Sequence, residues 1–310
     1  MNDVDSSAFR VLSLCSGVGM LDLGIRLAVP HARTVCYVER EIPACEILAA
    51  RMADGSLPPA PVWLDLAGFD GTRWRGAVDC VTAGFPCQPW SVAGDKRGID
   101  DSRWIWDDIG RIIRDVRPGW VFLENVPGLV SGGGLGYVLG TLAELGFAAE
   151  WDLFSAAEAG APHERDRWFC LAHAAQFGER ESDGAERAVA REESRVHAGR
   201  RQSGSGDELA DPCRESLAAE CTLSGESAPS LPPTRCAGGR IWPPGPHDRD
   251  AWADVLRTDP DLAPATEPPV RRVVDGGARR MDRLHALGNG CVPVMAAVAF
   301  RTLLRHLRGG

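Results

Sequence analysis

Three short stretches of this chain carry residue types suited to chemistry on a bound ligand. Pro86-Cys87-Gln88 follows an apolar run, Val78 to Ala83, that reads as a buried strand. Its cysteine stands between two prolines and behind Gly84, on a tight loop at the strand's end. A free cysteine usually packs as a small hydrophobe, but a thiol held on such a loop is placed to act as a nucleophile. Glu124-Asn125-Val126 closes a second apolar run, Trp120 to Leu123, and sets a carboxyl at another strand end. Leu14-Cys15-Ser16-Gly17-Val18-Gly19 joins a strand-like run to a helix-like one. Glycines there let backbone approach a ligand, and the helix N-terminus behind them is electropositive. After the next strand comes Glu39, where a carboxylate can accept two hydrogen bonds from ribose hydroxyls. After the third comes Asp65, which can take an adenine amino group. Singly each acid reads as a solvated turn residue; in order, at successive strand ends, they favour adenosine binding.

The elements that would position these residues alternate. Strands are expected at Val11 to Cys15, Thr34 to Val38, Val62 to Leu66, Val78 to Ala83, Trp120 to Leu123, Ala149 to Phe154 and Arg167 to Ala172. Helices are expected at Met20 to Ala28, Ile42 to Met52, Trp104 to Val116, Leu135 to Leu145 and Val294 to Leu307. Such alternation predicts an α/β fold, a doubly wound, mainly parallel sheet with helices on both faces. Ligands in such sheets sit at the carboxyl ends of the strands, so Gly17, Glu39, Asp65, Cys87 and Glu124 can meet on one rim.

The texture changes near Ala174. Residues 178–236 are rich in Arg, Glu, Ser, Gly and Ala without a period, as expected of a long surface loop or partly disordered insert. The expected organisation is a first catalytic part over 1–174, an irregular second domain over 175–267, and a return to the first domain over 268–310.

Composition limits the classes available. Apolar residues make up 44% and charged residues 25%, as in ordinary globular proteins. No run is apolar enough to span a bilayer, and the acidic start Met1-Asn2-Asp3-Val4-Asp5 does not read as a signal peptide; a cytoplasmic protein is expected. The ten cysteines occur as singles, which argues for reduced thiols. Cys213, Cys221 and Cys236 match no common zinc spacing, and no metal is expected. The net charge is −9. Residues 1–160 hold 13 basic against 21 acidic residues, residues 161–310 hold 21 against 22, so the later half repels phosphate less. Arg271, Arg272, Arg279, Arg280 and Arg283 cluster within it.

Read together and in order, these pieces resemble the cytosine carbon-5 DNA methyltransferases, over residues 9–173 and again over 268–307. The matching pieces are Leu14 to Gly19, Glu39, Asp65, Gly84-Phe85-Pro86-Cys87-Gln88, Asp101-Ser102-Arg103, Glu124-Asn125-Val126, Arg165-Asp166-Arg167 and Gly288-Asn289-Gly290. The resemblance implies the S-adenosylmethionine-dependent methyltransferase fold with an inserted target-recognition domain. It makes Cys87 the nucleophile toward carbon 6 of a flipped cytosine and Glu124 the partner of ring nitrogen 3. It makes Arg165 the residue that contacts the cytosine oxygen and orients Glu124, with Arg167 in a supporting role. S-adenosyl-L-methionine is the implied cofactor, near Cys15, Ser16, Gly17, Gly19, Glu39, Asp65, Leu66, Pro86 and Asn289. Gln88, Ser91, Lys96, Arg97 and Arg103 would face DNA; Gln88 would fill the gap left by the flipped base. Arg240, with Arg235 and Arg249, would read base edges.

The sequence departs from the family pattern at four places. Cys15 stands where an aromatic is usual, Met20 where glycine is frequent, His163 where glutamine is typical, and Gly290 in place of a more usual small residue. The implied partner is double-stranded DNA with a short recognition sequence, bound by a monomer of prokaryotic or phage type, with or without a cognate restriction endonuclease. Two alternatives stay open: methylation of tRNA, and a non-catalytic DNA-binding protein that keeps the fold.

Overall fold

The computed structural model describes residues 8–86, 104–161, 163–174 and 290–309, with the single positions 250, 253 and 257. Among these residues seven strands share one sheet: β1 (Phe9–Leu14), β2 (Ala32–Val38), β3 (Val62–Trp63), β4 (Cys80–Gly84), β5 (Trp120–Asn125), β6 (Phe147–Ser155) and β7 (Asp166–Ala174). Their order is β3-β2-β1-β4-β5-β7-β6. The helices are α1 (Met20–Ala28), α2 (Ile42–Ala53), α3 (Trp106–Val116), α4 (Gly128–Ser131), α5 (Gly134–Glu144) and α6 (Pro293–Leu307), with a 3₁₀ turn at Gly71–Trp74.

From β3 to β5 every neighbouring pair is parallel, as the alternation predicts. β7 then runs antiparallel to both β5 and β6. Only residues 156–165 join β6 to β7, too few for the crossover a parallel neighbour needs.

The central strands are apolar on both faces, so helices cover both. On one face Val11, Phe122, Phe169 and Leu171 pack with Leu21 and Ile25 of α1 and with Met295, Phe300 and Leu303 of α6. On the other, Leu12, Leu14, Val81, Ala83 and Leu123 pack with Ile109, Ile112, Ile113 and Val116, one face of α3, and with Val138 and Leu142 of α5. α6 begins with Pro293 in its first turn, where a missing N–H costs nothing. It lies close on α1: a Cβ placed on Gly24 would come 2.6 Å from the Ala296 Cβ and 2.9 Å from the Pro293 carbonyl. The segment after residue 290 is thereby built into the core formed by the sheet and α1.

One expected strand is shorter than predicted. Val62 to Leu66 keeps only Val62–Trp63 in the sheet. Beyond it the Trp63 indole N–H donates to the Asp65 carbonyl at 2.8 Å, and the Asp65 Oδ1 accepts from the Ala67 N–H at 3.1 Å. These local bonds turn the chain out of an edge strand.

The winding reverses between β1 and β4. β1 has β2 on one side and β4 on the other, so the carboxyl ends of β1 and β4 flank the switch point where such sheets bind ligands.

Candidate active site

The strand order sets the order of groups along the rim. Asp65 follows β3, Glu39 follows β2, Cys15 to Gly19 follow β1, Phe85-Pro86 follow β4, and Glu124 lies at the end of β5. The two acids and the glycine turn thus lie on the β1 side of the switch point, and Glu124 on the β4 side.

At the β1 end, Cys15, Gly17 and Gly19 all have positive φ, at 50, 54 and 78°. The Gly17 N–H donates to Glu39 Oε2 at 2.7 Å, and the Glu41 N–H to Glu39 Oε1 at 2.8 Å. Each carboxylate oxygen keeps acceptor capacity for a further donor. A Cβ on Gly17 would meet nothing within 4 Å among the described residues. Gly19 differs: a Cβ there would lie 2.5 Å from Leu57 Cδ1 and 3.2 Å from Leu48 Cδ2. The absence of a side chain at Gly19 permits this close packing. Ser16 also works within the protein. Its hydroxyl donates to the Ser13 carbonyl at 3.0 Å and accepts from the Val38 N–H at 3.2 Å, tying β1 to β2. Behind the turn, Asp22 of α1 is buried and accepts from the Ser13 and Thr34 hydroxyls at 2.9 and 2.8 Å. Burial pushes its carboxyl up to about 6, against the pull of these two bonds.

On the other side, Glu124 is 7% exposed. Its Cα pairs with Gly84 on β4 and with Phe169 on β7. A Cβ on Gly84 would lie 3.3 Å from Glu124 Oε2, so the carboxyl leans over a position that has no side chain. Arg167 Nε donates to Glu124 Oε1 at 3.0 Å. Burial raises the Glu124 carboxyl to about 7, and the guanidinium groups of Arg167 and Arg165 oppose the rise. Burial thus favours the protonated form well above the usual carboxylate range.

Arg167 makes an ion pair with Glu124, while an Arg165 guanidinium N–H donates to the Gly290 carbonyl and its charge also acts on Glu124. Register is the reason. Glu124 faces Phe169, and Arg167, two residues along β7, is its diagonal neighbour on the same face. Arg165 precedes β7 and ties the β6–β7 connection to the segment that leads into α6.

Asn125 points the other way. Its side-chain amide donates to the Phe85 carbonyl at 3.2 Å, and its Oδ1 accepts from the Val126 N–H at 2.8 Å. Phe85 also packs on Trp104 and Trp106, with ring centroids 6.0 and 5.4 Å away. The chain is thus held two residues before Cys87. Cys87 itself lies outside the described residues, as do Gln88, Ser91, Lys96, Arg97, Arg103, Arg235, Arg240, Arg249 and Asn289. The proposed domain at 175–267 and the cysteines at 213, 221 and 236 fall there too, apart from positions 250, 253 and 257. Burial pushes up the thiols of Cys15, Cys36, Cys45, Cys80, Cys170 and Cys291. No cysteine among the described residues is therefore set up as a thiolate.

Of the expected cofactor residues, Asp65 is exposed, while Leu66 and Pro86 are half-buried. Sequence reasoning did not single out Asn125 or Arg111 as site residues. Asn125 was open to inference from its place directly after a strand-end acid. Arg111 looked like one more charge on the polar side of α3, and only its tertiary contacts distinguish it.

The pattern of the C-5 cytosine-specific DNA methylases matches residues 9–215, and the chain belongs to that family. It is 33% identical over 167 residues to the Type II methyltransferase M.CviJI of Paramecium bursaria Chlorella virus IL3A, covering 53% of this chain and 43% of that protein. It is 37% identical over 175 residues to the Type II methyltransferase M.HhaI of Haemophilus parahaemolyticus, covering 55% and 51%. Among solved structures, S. pombe Dnmt2 methyltransferase aligns at 24% identity with a TM-score of 0.45, covering 55% of this chain and 52% of that one. The chain spans about half the length of the curated relatives it matches. The doubly wound sheet is the methyltransferase fold expected from the resemblance.

Proposed function

We propose that this protein methylates carbon 5 of cytosine in duplex DNA. The observation that carries this reading is the Glu124 carboxyl, buried beside the switch point against Arg167, where burial raises its pKa to about 7. A group in that state can give a proton to ring nitrogen 3 of cytosine and take it back.

S-adenosylmethionine would supply an electrophilic methyl group. The residues present suit it. No described residue fills the side-chain position at Gly17 or caps the α1 N-terminus behind it, which suits the amino acid portion of such a ligand. Glu39 has acceptor capacity for ribose hydroxyls, and Asp65 and Leu66, which follow β3 on the same rim, are the candidates to meet adenine.

Cytosine carbon 5 is a poor nucleophile. In the proposed sequence the Cys87 thiolate adds to carbon 6, forming a carbon–sulfur bond, while Glu124 protonates nitrogen 3. The electron pair released toward carbon 5 would then be free to attack the bound donor's methyl group, whose bond to sulfur would break and leave S-adenosylhomocysteine. Loss of the carbon 5 proton to water or another base expels Cys87, and Glu124 recovers its proton. One hard step becomes several easier ones. A base inside a duplex cannot reach this rim, so it must be flipped out. Gln88, Ser91, Lys96, Arg97 and Arg103 are the candidates to face DNA on that event. Residues 175–267 would read a short target sequence, with Arg240 among the candidate readers. Asn289 would return to the cofactor pocket beside Gly290.

No helix among the described residues is long and apolar enough to cross a membrane. A monomer acting in the cytoplasm, with or without a companion restriction endonuclease, fits the reading. The test is methylation-sensitive sequencing of DNA from cells that produce the intact protein or Cys87→Ser. Methylcytosine in a defined context from the intact protein alone is the expected result. Absence of the mark despite folded protein, with methyl transfer to tRNA in its place, would overturn DNA as the substrate.

A further inference from the structure

The loop that carries Asp65 and Leu66 owes its position to α3 more than to the sheet. β3 contributes two residues, and among the described residues the Asp65 carboxylate bonds locally, to the Ala67 N–H. Arg111 reaches this loop from α3. Its Nη1 donates to the Phe69 carbonyl at 2.9 Å, and its Nη2 to the carbonyls of Leu66 and Ala67 at 3.0 and 2.9 Å. On its own helix the guanidinium is steadied by Asp108 Oδ1 at 3.2 Å and Asp115 Oδ2 at 3.8 Å. Two further contacts dock the same segment. Arg75 Nε donates to the Asp115 carbonyl at 2.9 Å. A Cβ on Gly71 would lie 2.9 Å from the Asp115 Cβ and 3.2 Å from the Ile112 carbonyl, so backbone rests directly on the helix. Phe69 is buried between Trp63 and Trp74, with centroids 6.1 and 6.0 Å away.

Three carbonyls of one loop converging on a single side chain require a planar fork of several donors. Arginine has that geometry; lysine, a compact point charge, does not. We propose that Arg111 is a positioning residue of the adenosine site, holding the Asp65–Phe69 loop at the height where Asp65 meets the adenine amino group. This rests on the reading above that the loop binds the adenine of S-adenosylmethionine. α3 begins three residues past Arg103, so the helix that follows the nucleophile-bearing segment in the chain is also the one that sets the adenine loop.

The experiment is calorimetric binding of S-adenosylhomocysteine and S-inosylhomocysteine, which lacks the adenine amino group. The proteins are the intact chain, Asp65→Ala, Arg111→Gln, Arg111→Lys and the double variant Asp65→Ala with Arg111→Gln. Melting without ligand selects the variants that fold; if Arg111→Gln does not, Arg111→Lys carries the test. The intact protein should prefer the adenosyl ligand. Arg111→Gln should weaken it about tenfold, as expected for loss of a charge-assisted hydrogen-bond set. The inosyl ligand should be little affected, so the preference disappears, and the double variant should be no worse than Asp65→Ala alone. A preference lost in Asp65→Ala but intact in the folded Arg111 variants overturns the role of Arg111 and leaves the adenosine site standing. A preference that survives Asp65→Ala sinks the adenosine reading of the loop, and the proposal with it.

Discussion

Arg167 meets Glu124 across the β5–β7 ladder, Nε to Oε1 at 3.0 Å, with both side chains largely shielded from solvent. Two opposed effects act on the carboxyl. Burial raises it to about 7, and the arginines limit that rise. Replacing Arg167 by methionine keeps the burial and removes the larger opposing charge. The alkaline limb of the pH–rate profile for methyl transfer should then move upward by about one unit or more, given the usual size of a close charge pair. An unmoved limb, whatever the absolute rate, would mean that Glu124 does not govern it.

The same carboxyl makes stability depend on pH. Glu124 rises from 4.5 to about 7, and Asp22 from 3.8 to about 6, both through burial. Between those limits the folded chain binds more protons than the unfolded chain. Stability is therefore highest at the acid end of the window and falls as pH rises through the folded values. For Glu124 alone the loss is on the order of 3 kcal/mol. Urea midpoints should drop between about pH 5 and pH 8, and Glu124→Gln should flatten a large part of that slope. A midpoint that rises over the same interval would contradict the burial of these carboxyls in neutral form.

Asn125 ties β5 to the chain just before Cys87. Asn125→Ala leaves the Phe85 carbonyl without its amide donor, a cost of about 1–3 kcal/mol for a buried group. The melting temperature should fall by several degrees, in line with that cost. Trapping on DNA that contains 5-fluorocytosine should slow at least tenfold, while cofactor binding stays near normal. Trapping at the wild-type rate would show that the nucleophile's approach does not depend on this bond.

Gly24 is where α1 and α6 come closest. A methyl group there would overlap the Ala296 Cβ, 2.6 Å away, and crowd the Pro293 carbonyl at 2.9 Å. Gly24→Ala should cost about 1–3 kcal/mol as an overpacking change, read as a lower urea midpoint with an unchanged slope. The effect should reach Arg165, whose carbonyl partner Gly290 lies just ahead of α6. A neutral or stabilising result would mean that the two helices separate at little cost.

Much of the molecule was legible before any coordinates. The bounds of α1, Met20–Ala28, follow directly from its apolar spacing and the glycine turn ahead of it. The rim placement of Glu39 and Glu124 follows from where apolar runs stop, because a buried strand gives way to polar residues at its end. The switch from parallel to antiparallel strands at β6 and β7 was implicit in the short link between them. What could not be read was which groups touch. Arg165 and Arg167 are near-identical in sequence terms, and the register of β7 on β5 gives Glu124 to Arg167. Gly17 and Gly19 share one turn, yet a Cβ on one would meet no described residue within 4 Å and a Cβ on the other would collide with Leu57. Arg111 grips carbonyls as far as 45 residues away in sequence. Local patterns report what a residue and its near neighbours prefer; contacts between elements depend on how whole faces pack, and only the assembled sheet and helices decide them.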